Sequence, residues 1–141
     1  MRRSMKAILW VLFVVYLLVL LRITVFRSDF SAHPLFQDGQ IVWIPFVGLY
    51  QILQNNFFYF LYLFVGNLIW FVPLGLLLPA LTGIGKPVLL IGFLLSLGIE
   101  ISQYIFGTGV TEVEDLILNT LGTALGYLLW QLFHLWRHRH A

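Results

Sequence analysis

The sequence predicts an all-α membrane protein with four transmembrane helices and an interfacial segment on the outer side between helices one and two. Three observations carry that reading. Of the 141 residues, 60% are hydrophobic and only 10% are charged, whereas about a quarter of the residues in a soluble domain are charged. Four apolar stretches, Ala7–Phe26, Phe57–Leu78, Val88–Phe106 and Leu116–Trp136, are each long enough to cross a hydrocarbon core of about 30 Å as a helix rising about 1.5 Å per residue. Of eight basic and six acidic residues, only Arg22 and Glu100 lie inside those stretches. A bilayer demands this segregation, because a charge at mid-membrane costs roughly 2.5–3.5 kcal/mol on the insertion scale.

A soluble helical bundle would need polar outer faces at a 3.6-residue period, and Phe57–Leu78 offers only Asn67, Tyr59 and Tyr62. The net charge of +2 gives no basis for nucleic-acid binding. Without cysteine there is no disulfide, thiol nucleophile or cysteine metal site. The length fits a single domain over residues 1–141.

The first span follows Arg2, Arg3 and Lys6 and resembles a signal peptide. No small-x-small cleavage site follows it, so an uncleaved signal anchor is expected. With the N-terminus inside, six basic residues (Arg2, Arg3, Lys6, Lys86, Arg137 and Arg139) fall on the inner side and two, Arg22 and Arg27, on the outer. The positive-inside rule thus predicts a multi-pass protein of the cytoplasmic membrane with both termini cytoplasmic. Between the first two spans, Ile41–Tyr50 (IVWIPFVGLY) is apolar but too short to cross. Trp43 and Tyr50 suit an interface, while Pro45 and Gly48 interrupt regular structure. The segment lies on the outer surface or tucks between helix ends as a partial lid. Gly83, Gly85 and Pro87 predict a tight turn between spans two and three, with Pro79 ending the second. Gly107–Asp115 is a short acidic connection whose Asp115 suits the N-cap of the last span.

Polar residues inside the spans are the site candidates. Glu100 lies about 9 Å below the outer end of the third span, and ionisable residues at such depth mark functional sites. Ser96, Glu100 and Gln103, at i, i+4 and i+7, share its face, and Gly92 continues it inward. The fourth span carries a matching stripe of Asp115, Asn119, Gly122 and Gly126. Its glycine pair permits close helix approach, and packing the third span against it brings Glu100 and Gln103 near Asn119 and Asp115. Asn67 needs a partner near mid-membrane. Pro73 removes a backbone donor and should kink the second span. Arg22, roughly 6 Å inside the first span's outer end, either snorkels to the surface or turns inward to Glu100 or Asp115. His134 and His138 have i, i+4 spacing but no acid on their side, so with His140 they read as a solvated tail. No metal or cofactor is expected.

Four motifs add a resemblance. NLIWFVPLGLLLP (Asn67–Pro79), SLGIEISQ (Ser96–Gln103) and EVEDLILNTLGTALGY (Glu112–Tyr127) resemble, in this order, three signature blocks of the VanZ-like family, and IPF (Ile44–Phe46) resembles a fourth, weaker one. The resemblance spans Ile41–Tyr127 and implies a small polytopic bacterial membrane protein. The family's namesake is associated with low-level resistance to teicoplanin, a lipoglycopeptide acting on cell-wall precursors outside the membrane. Asn67, Glu100, Gln103, Asp115 and Asn119 fall on the family's polar positions; Pro45, Phe46, Pro73, Gly75, Gly122 and Gly126 fall on its shape positions. The chain departs from the pattern twice. Val42 stands where an Asn is expected, and Gly107-Thr108-Gly109 stands where an Arg is expected, leaving the acids less neutralised unless Arg22 or Arg27 supplies the charge.

The favoured function is binding of an amphiphile (a lipid, a lipid-linked wall precursor or a lipoglycopeptide) at the outer leaflet, through Glu100, Asp115, Asn119, Gln103, Asn67 and Arg22. Its partners are then membrane lipids and possible wall precursors, with no nucleic acid and an open oligomeric state. A membrane enzyme acting on such a precursor lacks a nucleophile motif, since Ser96 and Ser102 have no His on their side. A proton-coupled transporter fits an intramembrane Glu, although four helices would need a dimer.

Overall fold

The computed structural model describes residues 3–26, 35–36 and 39–139. The elements run α1 (Arg3–Thr24), β1 (Gln40–Val42), α2 (Val47–Asn55), α3 (Phe57–Thr82), α4 (Pro87–Phe106), β2 (Val110–Glu112) and α5 (Val113–Arg139). The four long helices, α1, α3, α4 and α5, are apolar and long enough to cross a membrane. Their exposed surface is a coat of large hydrophobics such as Phe58 (82% exposed), Tyr62 and Ile69. Much of the interior is polar: Ser96, Glu100, Gln103, Glu114, Asn119 and Thr123 are all buried. That inversion requires an apolar solvent outside and hydrogen bonds inside.

Small residues set how closely the helices approach. A Cβ added at Gly122 or Gly126 of α5 would meet the Leu68 or Val72 carbonyl oxygen of α3 at 2.2 and 2.0 Å. One at Gly75 of α3 would meet the Thr123 carbonyl oxygen at 1.9 Å. The glycine stripe therefore receives the second span, where the sequence reading places the third. The third span instead lays Gly92 against the Thr123 side chain. The α1 helix packs from another side through Phe13 and Leu20, in one apolar cluster with Phe71, Leu74 and Ile99. The Tyr16 hydroxyl donates to the Trp70 carbonyl at 2.8 Å, in the turn that Pro73 interrupts.

Three element boundaries differ from the sequence reading. The α3 helix continues past Pro79 to Thr82 and stops at Gly83 (φ 77°), whose N–H donates to the Pro79 carbonyl at 2.8 Å. A proline costs a helix one backbone donor, and Gly83 supplies the left-handed turn that ends it. At the other end of the bundle, β1 and β2 pair in parallel, with Gln40 opposite Val110, Ile41 opposite Thr111 and Val42 opposite Glu112. Residues 40–55 of the connection between α1 and α3 are therefore a strand, a turn and a nine-residue helix. The β2 strand also runs straight into α5, which begins at Val113, so Asp115 lies inside the first helical turn and is not its N-cap.

Candidate functional site

The strand-capped end of the bundle gathers the polar residues. Pairing with β1 carries β2 along the last turns of α4. The Glu100 carboxylate accepts the backbone N–H of Glu112 at 2.9 Å, and the Thr111 hydroxyl donates to the Glu100 carbonyl at 3.0 Å. Glu100, 2% exposed, thus anchors the acidic connection to the membrane helix. On α5, Asp115 accepts a hydrogen bond from the Asn67 amide of α3. One turn on, Asn119 donates to the Ser96 hydroxyl of α4 at 2.9 Å, and Thr123 donates to the Asn119 carbonyl. Gln103 donates to the Thr24 carbonyl at 3.2 Å, tying in the end of α1.

Five of the six residues singled out from sequence, Asn67, Glu100, Gln103, Asp115 and Asn119, line one small internal cavity of about 60 Å³ between α1, α3, α4 and α5. Arg22 is not among them. It is exposed and donates to the Phe26 carbonyl, one turn along its own segment. Arg27 and His140 lie outside the described residues, as does the His138 side chain; the His134 ring sits 5.2 Å from that of Trp130. Among the described residues no group of three or more His, Asp or Glu is arranged to hold a metal ion.

A larger cavity of about 330 Å³ adjoins the small one, sharing Asn67, Gln103 and Asp115. Its polar wall adds Glu112 and Glu114, and its apolar wall comes from Leu49, Ile52, Leu63 and Val110. From the sequence, Glu112 and Glu114 belong only to a short acidic connection. The signal that could have promoted them is three acids within four positions directly before a span. Glu114 is buried and accepts the backbone N–H of Phe46. Phe46 precedes α2 with φ 66°, a left-handed conformation that is strained for a bulky residue. Burial pushes the Glu112 carboxyl above its ordinary range, and the neighbouring Glu114 adds to the rise.

The amide nitrogens of Asn67, Gln103 and Asn119 all donate to protein oxygens. The buried Oε1 of Gln103 and Oδ1 of Asn119 have no hydrogen-bond partner. Carboxylates and unpartnered amide oxygens thus gather in the residues that line the small cavity.

The chain matches the VanZ/LLP1 family model over residues 13–134. It belongs to the VanZ/LLP1 family. Protein VanZ of Enterococcus faecium is 43% identical over 70 residues, which cover 48% of this chain and 44% of that protein. The match thus spans less than half of that relative's length. No solved structure matches. The motifs that resemble the VanZ-like blocks supply Asn67, Glu100, Gln103, Asp115 and Asn119 of the cluster, and the motif that resembles the weaker block supplies the strained Phe46.

Proposed function

We propose that this VanZ/LLP1 protein binds the head group of a membrane amphiphile at the outer leaflet of the bacterial cytoplasmic membrane, and that this binding underlies a role in teicoplanin resistance. Both termini then face the cytoplasm, as the inner excess of Lys and Arg favours. One observation carries the reading: a cavity of about 330 Å³ with buried acceptors on one wall and aliphatic side chains on the other, at the end of a membrane bundle. Its volume falls in the usual range for small-ligand sites, about 300–1,000 Å³. The two-sided lining matches a molecule with a polar head and an apolar remainder. Binding is favoured over catalysis because both serine hydroxyls of α4 serve packing. Ser96 accepts from Asn119, and Ser102 donates to the Gly98 carbonyl.

The test is teicoplanin protection in a susceptible host expressing the full chain. Glu100→Gln and Asp115→Asn are expected to abolish protection while leaving membrane abundance unchanged. Full protection by both variants overturns the role of these acids.

A further inference from the structure

We propose that the head group this site selects is a primary ammonium, an N–H-bearing cation held by hydrogen bonds to Glu112, Asp115 and Gln103. The inference deepens the reading of an amphiphile site and rests on it. An acidic cluster alone would leave the ligand open. The second observation is Gln103, 6% exposed, which lines both cavities beside the acids. Its Nε2 is committed to the Thr24 carbonyl, and its Oε1 is buried without a hydrogen-bond partner. Asn119, 5% exposed, repeats the arrangement deeper in, with its amide spent on Ser96 and its Oδ1 without a partner. A buried acceptor left unmet costs about 1–3 kcal/mol. A ligand entering here must therefore bring donors, and beside carboxylates it gains by bringing positive charge.

Geometry narrows the cation. Glu112, Asp115 and Gln103 line the larger cavity together, and even the adjoining inner cavity of about 60 Å³ admits a group of ammonium size, given that a water molecule's share of liquid volume is about 30 Å³. The described carboxylates do not converge as metal ligands. A quaternary ammonium carries the charge but no N–H, and leaves Gln103 Oε1 unmet. The first turn of α2, Gly48 and Leu49, walls the outer cavity. Its partial positive end offsets the charge of a phosphodiester beside the amine. Two sources share this chemistry, an aminophospholipid head group and a free amine.

The test uses the purified full-length chain in neutral detergent, with lipid binding followed by native mass spectrometry and by thermal shift. The probes are phosphatidylethanolamine, its N-monomethyl and N,N-dimethyl forms, phosphatidylcholine and phosphatidylglycerol. Affinity should fall with each methyl group, to about tenfold or more from phosphatidylethanolamine to phosphatidylcholine, one charge-assisted hydrogen bond being worth at least that factor. Glu112→Gln should flatten the series. This variant keeps the backbone N–H that bonds Glu100, so loss of fold does not confound it. Equal binding of phosphatidylethanolamine and phosphatidylcholine, or preference for phosphatidylglycerol, overturns the ammonium while leaving an amphiphile site standing. Calcium-dependent binding without head-group preference also overturns it. Free ethanolamine binding as tightly as the lipid supports the ammonium and sinks the amphiphile. Saturation by none of these probes overturns both.

Discussion

The first two turns of α5 and the two turns after them are built for opposite purposes. Glu114, Asp115 and Asn119 meet Phe46, α3 and α4 through side-chain hydrogen bonds, and cavities remain between them. Gly122 and Gly126 meet α3 backbone to backbone, with no room for a methyl group. The second region is a fulcrum that fixes the helix crossing. The first is held apart by polar side chains of fixed length. Close packing gains dispersion from every added contact, whereas each buried polar group left without a partner costs a polar region stability. This difference explains how one helix can be both a structural axis and the wall of a polar cavity.

The largest effect expected on that contrast comes from filling the fulcrum. Gly126→Ala puts a Cβ 2.0 Å from a backbone oxygen that cannot move away, so the folded protein should be lost or destabilised by about 3 kcal/mol or more. Gly98→Ala on α4, where an added Cβ meets nothing within 4 Å, should raise stability by up to about 1 kcal/mol. Thermal unfolding in detergent measures both, and equal outcomes would refute the close approach. Removing a donor from the polar region should cost less. Asn67→Leu deprives Asp115 of its amide partner and should cost about 1 kcal/mol while weakening lipid binding. A loss as large as that of Gly126→Ala would make the polar region a packing device as well.

Two smaller effects sharpen the picture of the strand-capped end of the bundle. Phe46→Gly relieves about 1–2 kcal/mol of left-handed strain but adds about 0.5–1 kcal/mol of unfolded-state entropy, so a net gain of about 0.5 kcal/mol is expected in chemical or thermal unfolding. A net loss would assign the residue's role to its ring. The smallest effect is that of Glu112 on the pH dependence of stability. Its carboxyl faces Glu114 and Asp115 across the cavity, and its own N–H is held by Glu100. Because the folded state raises its pKa above the ordinary value of about 4.5, the neutral form is favoured on folding. Its contribution is present below that value and is lost as pH rises through the raised one. Glu112→Gln should therefore unfold at an increasingly higher temperature than the parent as pH is raised from about 4 to about 8. A constant difference would show that Glu112 titrates alike in both states.

Much of the architecture was legible before folding. The spans followed from hydropathy, which sums over neighbours in the chain. The polar faces followed from helical periodicity, so Asn67, Glu100, Gln103, Asp115 and Asn119 were identifiable and do come together. The part played by Glu114 was not legible, because its partner Phe46 lies 68 residues away. Nor was that of Glu112, whose strand exists only through pairing with Ile41 and Val42. Arg22 carried two readings of equal sequence support, and its outward orientation depends on how α1 is rotated against α3.

By itself, then, the sequence determined the solvent of this protein, the number of its long helices and the faces on which their polar groups sit, since each is a property of local order along the chain. Only the tertiary structure decided which helix the glycine stripe receives, that a parallel strand pair caps the bundle, and that the amides of Gln103 and Asn119 spend their donors on protein while their buried oxygens have no partner. These depend on which distant groups meet, and on the rule that a buried polar atom must find a partner in the protein or take one from a ligand.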